Sequence, residues 1–172
     1  MIRILVTGSR EWADISALAQ ALRWAISACG AHLVGTNDDG APRFPWHQVT
    51  VVHGAARGAD RVAECIATGW DCAVERYPVR RCDWETCGPD CDPGHRRRGF
   101  RGSTYCPAAA TRRNQRLVDL GADVCLGFPL GLHWSGTRDC MQRAERAGIR
   151  VVDWPRHGAD LLAQRLMKGQ LR

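Results

Sequence analysis

No stretch of this 172-residue sequence is long and apolar enough to span a membrane. The first apolar run, residues 2–6, is too short for a secretory leader and reads as a buried strand entering a turn at Thr7-Gly8. A cytoplasmic protein without membrane association is expected. The sequence also lacks the Gly-rich dinucleotide fingerprint and the phosphate-binding P-loop, which weighs against NAD binding and ATP hydrolysis. Lysine is nearly missing, Lys168 being the single one. That bias, with abundant Ala and Gly, points to a GC-rich coding genome and carries no mechanism. In the basic part of the chain, aromatic residues suited to stacking on single-stranded bases are few: Trp84, Phe100 and Tyr105.

The composition that is present suits one domain. Hydrophobic residues make up 45% of the chain, enough for a core at this length. The net charge of +6 is local: ten arginines stand against four acids between Arg76 and Arg116, and the rest of the chain is neutral. Such a patch suits a phosphate-bearing ligand or nucleic acid, or else a solvated face.

Apolar periodicity gives alternating elements. Strands are expected over 2–6, 50–53, 72–77, 124–128 and 149–152. Helices are expected over 14–28, 59–68, 108–120, 137–147 and 158–168, with Asp14 as an N-cap and Gly30 as a stop. Residues 36–46 read as a surface loop. Alternation of this kind predicts a single α/β domain over 1–172, a Rossmann-like, doubly wound, mostly parallel sheet. Its strand-to-helix turns fall along one edge, where ligands bind near the topological switch point.

Three of those turns are rich in Gly and polar residues: 7–12, 53–60 and 128–137. Glycine lets backbone approach a phosphate, and free N–H groups at a helix start bind the anion. Gly136-Thr137, where a helix begins, is the best phosphate site. Ser9 and Arg10 either contact ligand or stabilise their turn. Arg57 either clamps a phosphate or pairs with Asp60, itself also a good helix-start residue. His53 reads as structural, and Trp134, beside His133, as a candidate stacking surface.

Nine cysteines are many for a reducing compartment. Cys29, Cys65, Cys72, Cys125 and Cys140 fall in apolar patterns and read as small core residues. Cys82, Cys87, Cys91 and Cys106 cluster in an aperiodic insertion at about 80–107. Cys87-x3-Cys91-x3-His95-x10-Cys106 supplies three thiolates and an imidazole, a set suited to tetrahedral, structural zinc. Cys82 either replaces His95 or stays free. A staple of this kind offsets the entropy of a long excursion. It also places Arg96, Arg97, Arg98 and Arg101 beside the next helix start, suggesting a cationic lid over a ligand pocket.

The motifs Thr7-Gly8-Ser9-Arg10-x-Trp12, His53-Gly54-x-Ala56-Arg57-Gly58-Ala59-Asp60, Arg113-Asn114-Gln115, and Phe128-Pro129-x-Gly131 with Ser135-Gly136-Thr137 resemble the SLOG superfamily. Within it they are similar to the YspA-type branch of bacteria and actinobacterial phages. The resemblance implies a nucleotide-derived ligand bound by Gly8, Ser9, Arg10, Gly54, Arg57, Asp60, Arg113, Asn114, Gly131, Ser135, Gly136 and Thr137. It also implies the zinc set without Cys82, and a homo-oligomer through helices flanking the sheet. A sensor or sequestering protein is the first expectation. A phosphoribohydrolase of Lonely-guy type, with Arg113 as the candidate catalytic residue, is the alternative, and a DprA-like nucleic-acid binder the third. The hydrolases carry a Glu three residues after the Gly-Thr threonine, and here that position is Cys140. Asp139 is one residue early and points elsewhere on a helix. Glu11 and Asp60 are the other carboxylates available.

Overall fold

The fold is described from a computed structural model over residues 1–30, 45–89, 91–92, 94–99, 102–131 and 135–167. The strand β1 (Ile2–Gly8) leads to helix α1 (Ile15–Ala28), and β2 (Val49–His53) to α2 (Ala59–Gly69). Then come β3 (Ala73–Arg76), the short α3 (Arg81–Glu85), a hairpin of β4 (Arg97–Arg98) and β5 (Thr104–Tyr105), and α4 (Ala109–Asp119). The chain ends with β6 (Val124–Phe128), α5 (Ser135–Arg146), β7 (Arg150–Asp153) and α6 (Trp154–Met167).

Five strands form one parallel sheet in the order β3-β2-β1-β6-β7. Winding runs outward from β1 to β3, then restarts on the other side at β6. The switch point therefore lies between β1 and β6, and the architecture is Rossmann-like. Period-two alternation sorts β1 between two apolar layers. Ile4 and Val6 pack with Leu18, Leu22, Ala63, Phe128 and Trp154, the layer under α1, α2 and α6. Leu5 packs with Val52, Leu117, Cys125 and Met141, the layer under α4 and α5. Both β2 and β6 are buried along their whole length, as expected of interior parallel strands.

Local chemistry sets the ends. The Asp14 carboxylate accepts from the Ala17 N–H at 2.8 Å and caps α1, and Gly30 follows with φ +81°. The final helix begins at Trp154, earlier than expected. Pro155 suits a first turn, and the Trp154 indole is buried 6.0 Å from Trp24, which anchors the start to the core. The insertion, expected without regular elements, contains α3 and the β4–β5 hairpin. Cys65 corrects another expectation: it lies on the exposed face of α2, whereas Cys125 and Cys140 are buried. Among the described residues no helix is long and apolar enough to cross a membrane. Most of the expected loop 36–46, together with Phe100, Arg101, His133, Trp134 and Lys168, lies outside the described residues.

Candidate functional site

The first strand ends at Gly8 because nothing larger fits: an added Cβ would lie 2.8 Å from that of Phe128 and would overlap Ala59. Here β1, β6 and the start of α2 meet. The Ser9 N–H donates to the Phe128 carbonyl at 2.9 Å, and the Ser9 carbonyl accepts from Ala59 at 3.1 Å. Its hydroxyl accepts from the Glu11 N–H at 3.2 Å. Ser9 therefore holds the turn. Ala55 has φ +54°, uncommon for a residue with a Cβ, and its N–H donates to His53 Nδ1 at 3.0 Å. Next to it the Ala56 N–H donates to the Asp60 carboxylate at 3.1 Å. Two buried side chains, His53 and Asp60, thus shape the turn between β2 and α2.

A cavity of about 320 Å³ opens at the switch point. Thr7, Gly8 and Arg10 line it from the end of β1, and Gly54, Ala56 and Asp60 from the second turn. Arg113 and Asn114 on α4, with Gly136 and Thr137 on α5, close the other side. The starts of α2 and α5 both face this space. Ser9, Arg57 and Gly131 lie outside the lining, and Arg57 and Gly131 are exposed. Ser135 is the first residue of α5.

Arg113 dominates the cavity. Its guanidinium is largely buried, and among the described residues its Nε has no hydrogen-bond partner and its one donated bond, to the Tyr77 carbonyl, is 3.4 Å long. Burial lowers its pKa below the usual arginine range, against the pull of Asp60 and Cys140. Burial also raises the Asp60 carboxyl to about 6, although the Ala56 N–H and Arg113 oppose the shift. His53 is pushed down to about 4 by burial, despite Glu64 Oε2 at 3.8 Å. Asn114 spends its amide on the Gly136 carbonyl at 3.1 Å and on Asp139 at 2.9 Å. Asp139 is further bound by Arg143 at 3.0 Å. Cys140 is buried beneath the cavity, against Cys125 and Thr7, and is not part of its lining. Asp60 is thus the carboxyl inside the cavity.

The insertion builds a second centre. Cys87 Sγ lies 3.6 Å from His95 Nε2, which lies 3.1 Å from Cys106 Sγ, and Cys91 Sγ lies 3.7 Å from Cys106 Sγ. The ligand atoms of Cys87, His95 and Cys106 all fall within 4.8 Å of one another, so this cluster could hold a metal ion. Cys91 adjoins it through Cys106, while Cys82 is exposed on α3 and stands apart. His95 Nδ1 sits 2.6 Å from the Asp92 carbonyl, which leaves Nε2 for the metal side. Two guanidiniums brace the sulfurs: Arg96 donates to Cys87 at 3.4 Å, and Arg112 to Cys106 at 3.3 Å and Cys91 at 3.6 Å. Burial works to raise the Cys106 thiol, yet the bonds from Arg112 and His95 bring it down to about 6. Sequence reasoning missed these two braces, because a guanidinium turned toward sulfur has no spacing signature.

Of the arginines expected in a cationic lid, Arg101 lies outside the described residues. Arg96 turns inward to the Cys/His loop, as does Arg112, and Arg97 and Arg98 are exposed on β4. Among the described residues, the guanidiniums that line the cavity are those of Arg10 and Arg113.

No family model matches the sequence, and no solved structure matches it. The sequence is 37% identical over 158 residues to the Gene 61 protein of Mycobacterium phage D29, an alignment covering 90% of this chain and 97% of that protein. At that identity and coverage, this chain belongs to the family of that phage Gene 61 protein.

Proposed function

We propose that this protein binds a nucleotide-derived ligand at the C-terminal edge of its sheet, as a sensor or sequestering protein of the SLOG type. One observation carries the reading: Arg113, a partly buried guanidinium whose buried Nε has no partner among the described residues, lines a cavity faced by two helix starts at the switch point. Anions gather at such helix starts, and a desolvated arginine strengthens the attraction. Gly136 and Thr137 bind a phosphate, Arg113 clamps it, and Gly8 and Gly54 let it approach the backbone. The order of the turn motifs, similar to the YspA-type branch, adds support. The same resemblance supports a homo-oligomer, which light scattering after size exclusion tests.

The metal is zinc, held by Cys87, Cys91, His95 and Cys106. Sulfur-rich, four-donor sites select zinc, and Zn–S bonds near 2.3 Å require sulfurs about 3.8 Å apart around a tetrahedron. The 3.7 Å between Cys91 and Cys106 suits that spacing. With all positions filled by protein, the site is structural. Metal content by atomic emission tests it, with one zinc per chain expected.

A second reading is N-glycosidic hydrolysis. Its support is Asp60, a buried carboxyl in the cavity raised to about 6, the range of a general acid or base. The test for both is mass spectrometry of nucleoside monophosphates, ADP-ribose species and cyclic nucleotides after incubation with zinc-loaded protein. One intact species retained through gel filtration, and lost in Arg113→Ala, is the expected result. Release of a free base, abolished in Asp60→Asn, establishes the hydrolase instead.

A further inference from the structure

Arg113 lines two cavities. The second, about 530 Å³, lies beyond the end of β3 and against the C-terminal half of α4. Tyr77, Pro78 and Leu120 supply apolar walls, and Arg76, Arg80 and Arg116 stand around them. Leu120, just past the end of α4, is 43% exposed and faces this space. The charges are poorly balanced. Arg80 and Arg116 share one carboxylate, Asp83, at 3.6 and 3.2 Å. Among the described residues Arg76 pairs with Glu64 alone, at 3.6 Å. Asp119, the acid in the lining, accepts from Gln115 at 2.7 Å.

A concave space with apolar walls and a few convergent cations has the make-up of a small-molecule site. The guanidinium of Arg113 sits at the boundary, bonded to the carbonyl of Tyr77 on the second side and lying over Gly54 on the first. The geometry points to a ligand in two parts joined by a pyrophosphate. The bridge lies at Arg113, the nucleoside half enters the switch-point cavity, and the second, sugar-bearing half rests on Tyr77, Pro78 and Leu120 among the three outer arginines. This inference rests on the proposed nucleotide site and names the chemical class of its ligand.

Calorimetric titration of the zinc-loaded protein with AMP and with ADP-ribose tests it, using Leu120→Trp to fill the second cavity and Arg116→Ala to remove a cation. Melting temperature and zinc content confirm that each variant is folded. ADP-ribose is expected to bind at least tenfold tighter than AMP, as one extra charge-assisted contact supplies. Both variants are expected to remove that advantage and leave AMP unchanged. Equal affinity for the two ligands, or equal losses for both in the variants, overturns the second subsite while keeping the first. Binding of neither ligand overturns the nucleotide site and this inference together. Tighter binding of a twelve-residue oligothymidylate, lost in Arg116→Ala and falling steeply with salt, overturns it in favour of a nucleic-acid groove.

Discussion

The guanidinium of Arg113 occupies the space that a Cβ on Gly54 would need. The glycine at the end of β2 is therefore a seat for a side chain arriving from α4. Gly54→Ala is expected to expel that guanidinium and to cost about 1–3 kcal/mol, as overpacking does. In an Arg113→Ala background the same change is expected to cost far less. Urea denaturation of the four proteins in the cycle measures the coupling. Additive losses would show that the two positions are independent.

The loop that carries the candidate metal cluster is expected to be separable from the core. Cys87→Ser and Cys106→Ser are expected to lose metal, whereas Cys82→Ser keeps it, because Cys82 stands outside the cluster. Atomic emission reads metal content, and far-ultraviolet circular dichroism is expected to show the sheet and flanking helices retained. A core that unfolds with the metal would contradict this separation.

Arg112 is the main brace of that loop, donating to the Thr86 carbonyl at 2.8 Å and the Asp83 carbonyl at 3.1 Å as well as to two sulfurs. Arg112→Lys keeps the charge but not the fork of donors. It is expected to weaken metal retention roughly tenfold or more, as loss of an outer-shell partner does. Competition with a chromogenic chelator measures the loss.

The pH dependence of stability carries two opposed contributions. His53 has a folded pKa of about 4, below its usual 6.5. Between those values the unfolded chain holds the extra proton, so acidification removes stability, on the order of 3 kcal/mol in full. Asp60 has a folded pKa of about 6, above its usual 3.8. There the folded chain holds the extra proton, and acidification through the same window returns a similar amount. Asp60→Asn removes only the second contribution and keeps an oxygen for the Ala56 N–H. Relative to the parent, the variant is expected to lose stability steadily as pH falls from 6 to 4, measured by urea denaturation. A constant difference across that range would contradict the burial of Asp60.

Asn114 fastens α4 to α5 through the Gly136 carbonyl and Asp139. Asn114→Ala is expected to cost about 1–3 kcal/mol by leaving these acceptors short of a donor. Thermal melting measures it.

The alternation of apolar runs exposed the sheet, since burial of parallel strands on both faces leaves continuous hydrophobic segments such as residues 124–128. The positions of Gly8, Gly54, Gly136 and Thr137 along one edge followed from the same pattern. What was not legible depended on contacts between distant segments. Ser9, read as either a ligand contact or a turn residue, bonds within its turn, and the Asn114 amide bonds to α5. Arg96 was read as part of a lid but turns to Glu85, Cys87 and Thr104, because sequence shows charge but not the direction of a side chain. The short α3 and the hairpin of the insertion carry too few residues for periodicity to register.

The insertion also occupies a particular place in the topology. It lies on the connection from β3 to β6, which leaves one edge of the sheet and returns past β2 and β1 to begin the other half. Strands β1 to β3 and strands β6 to β7 form neighbouring pairs within each group, but β6 meets β1 only after this long segment closes. The entropy of closure rises with the length of free chain, and non-local pairings of this sort slow folding. A metal bound by Cys87, His95 and Cys106 would shorten the free chain before β6 arrives. The same cluster would then bear on how quickly the two halves of the sheet find each other.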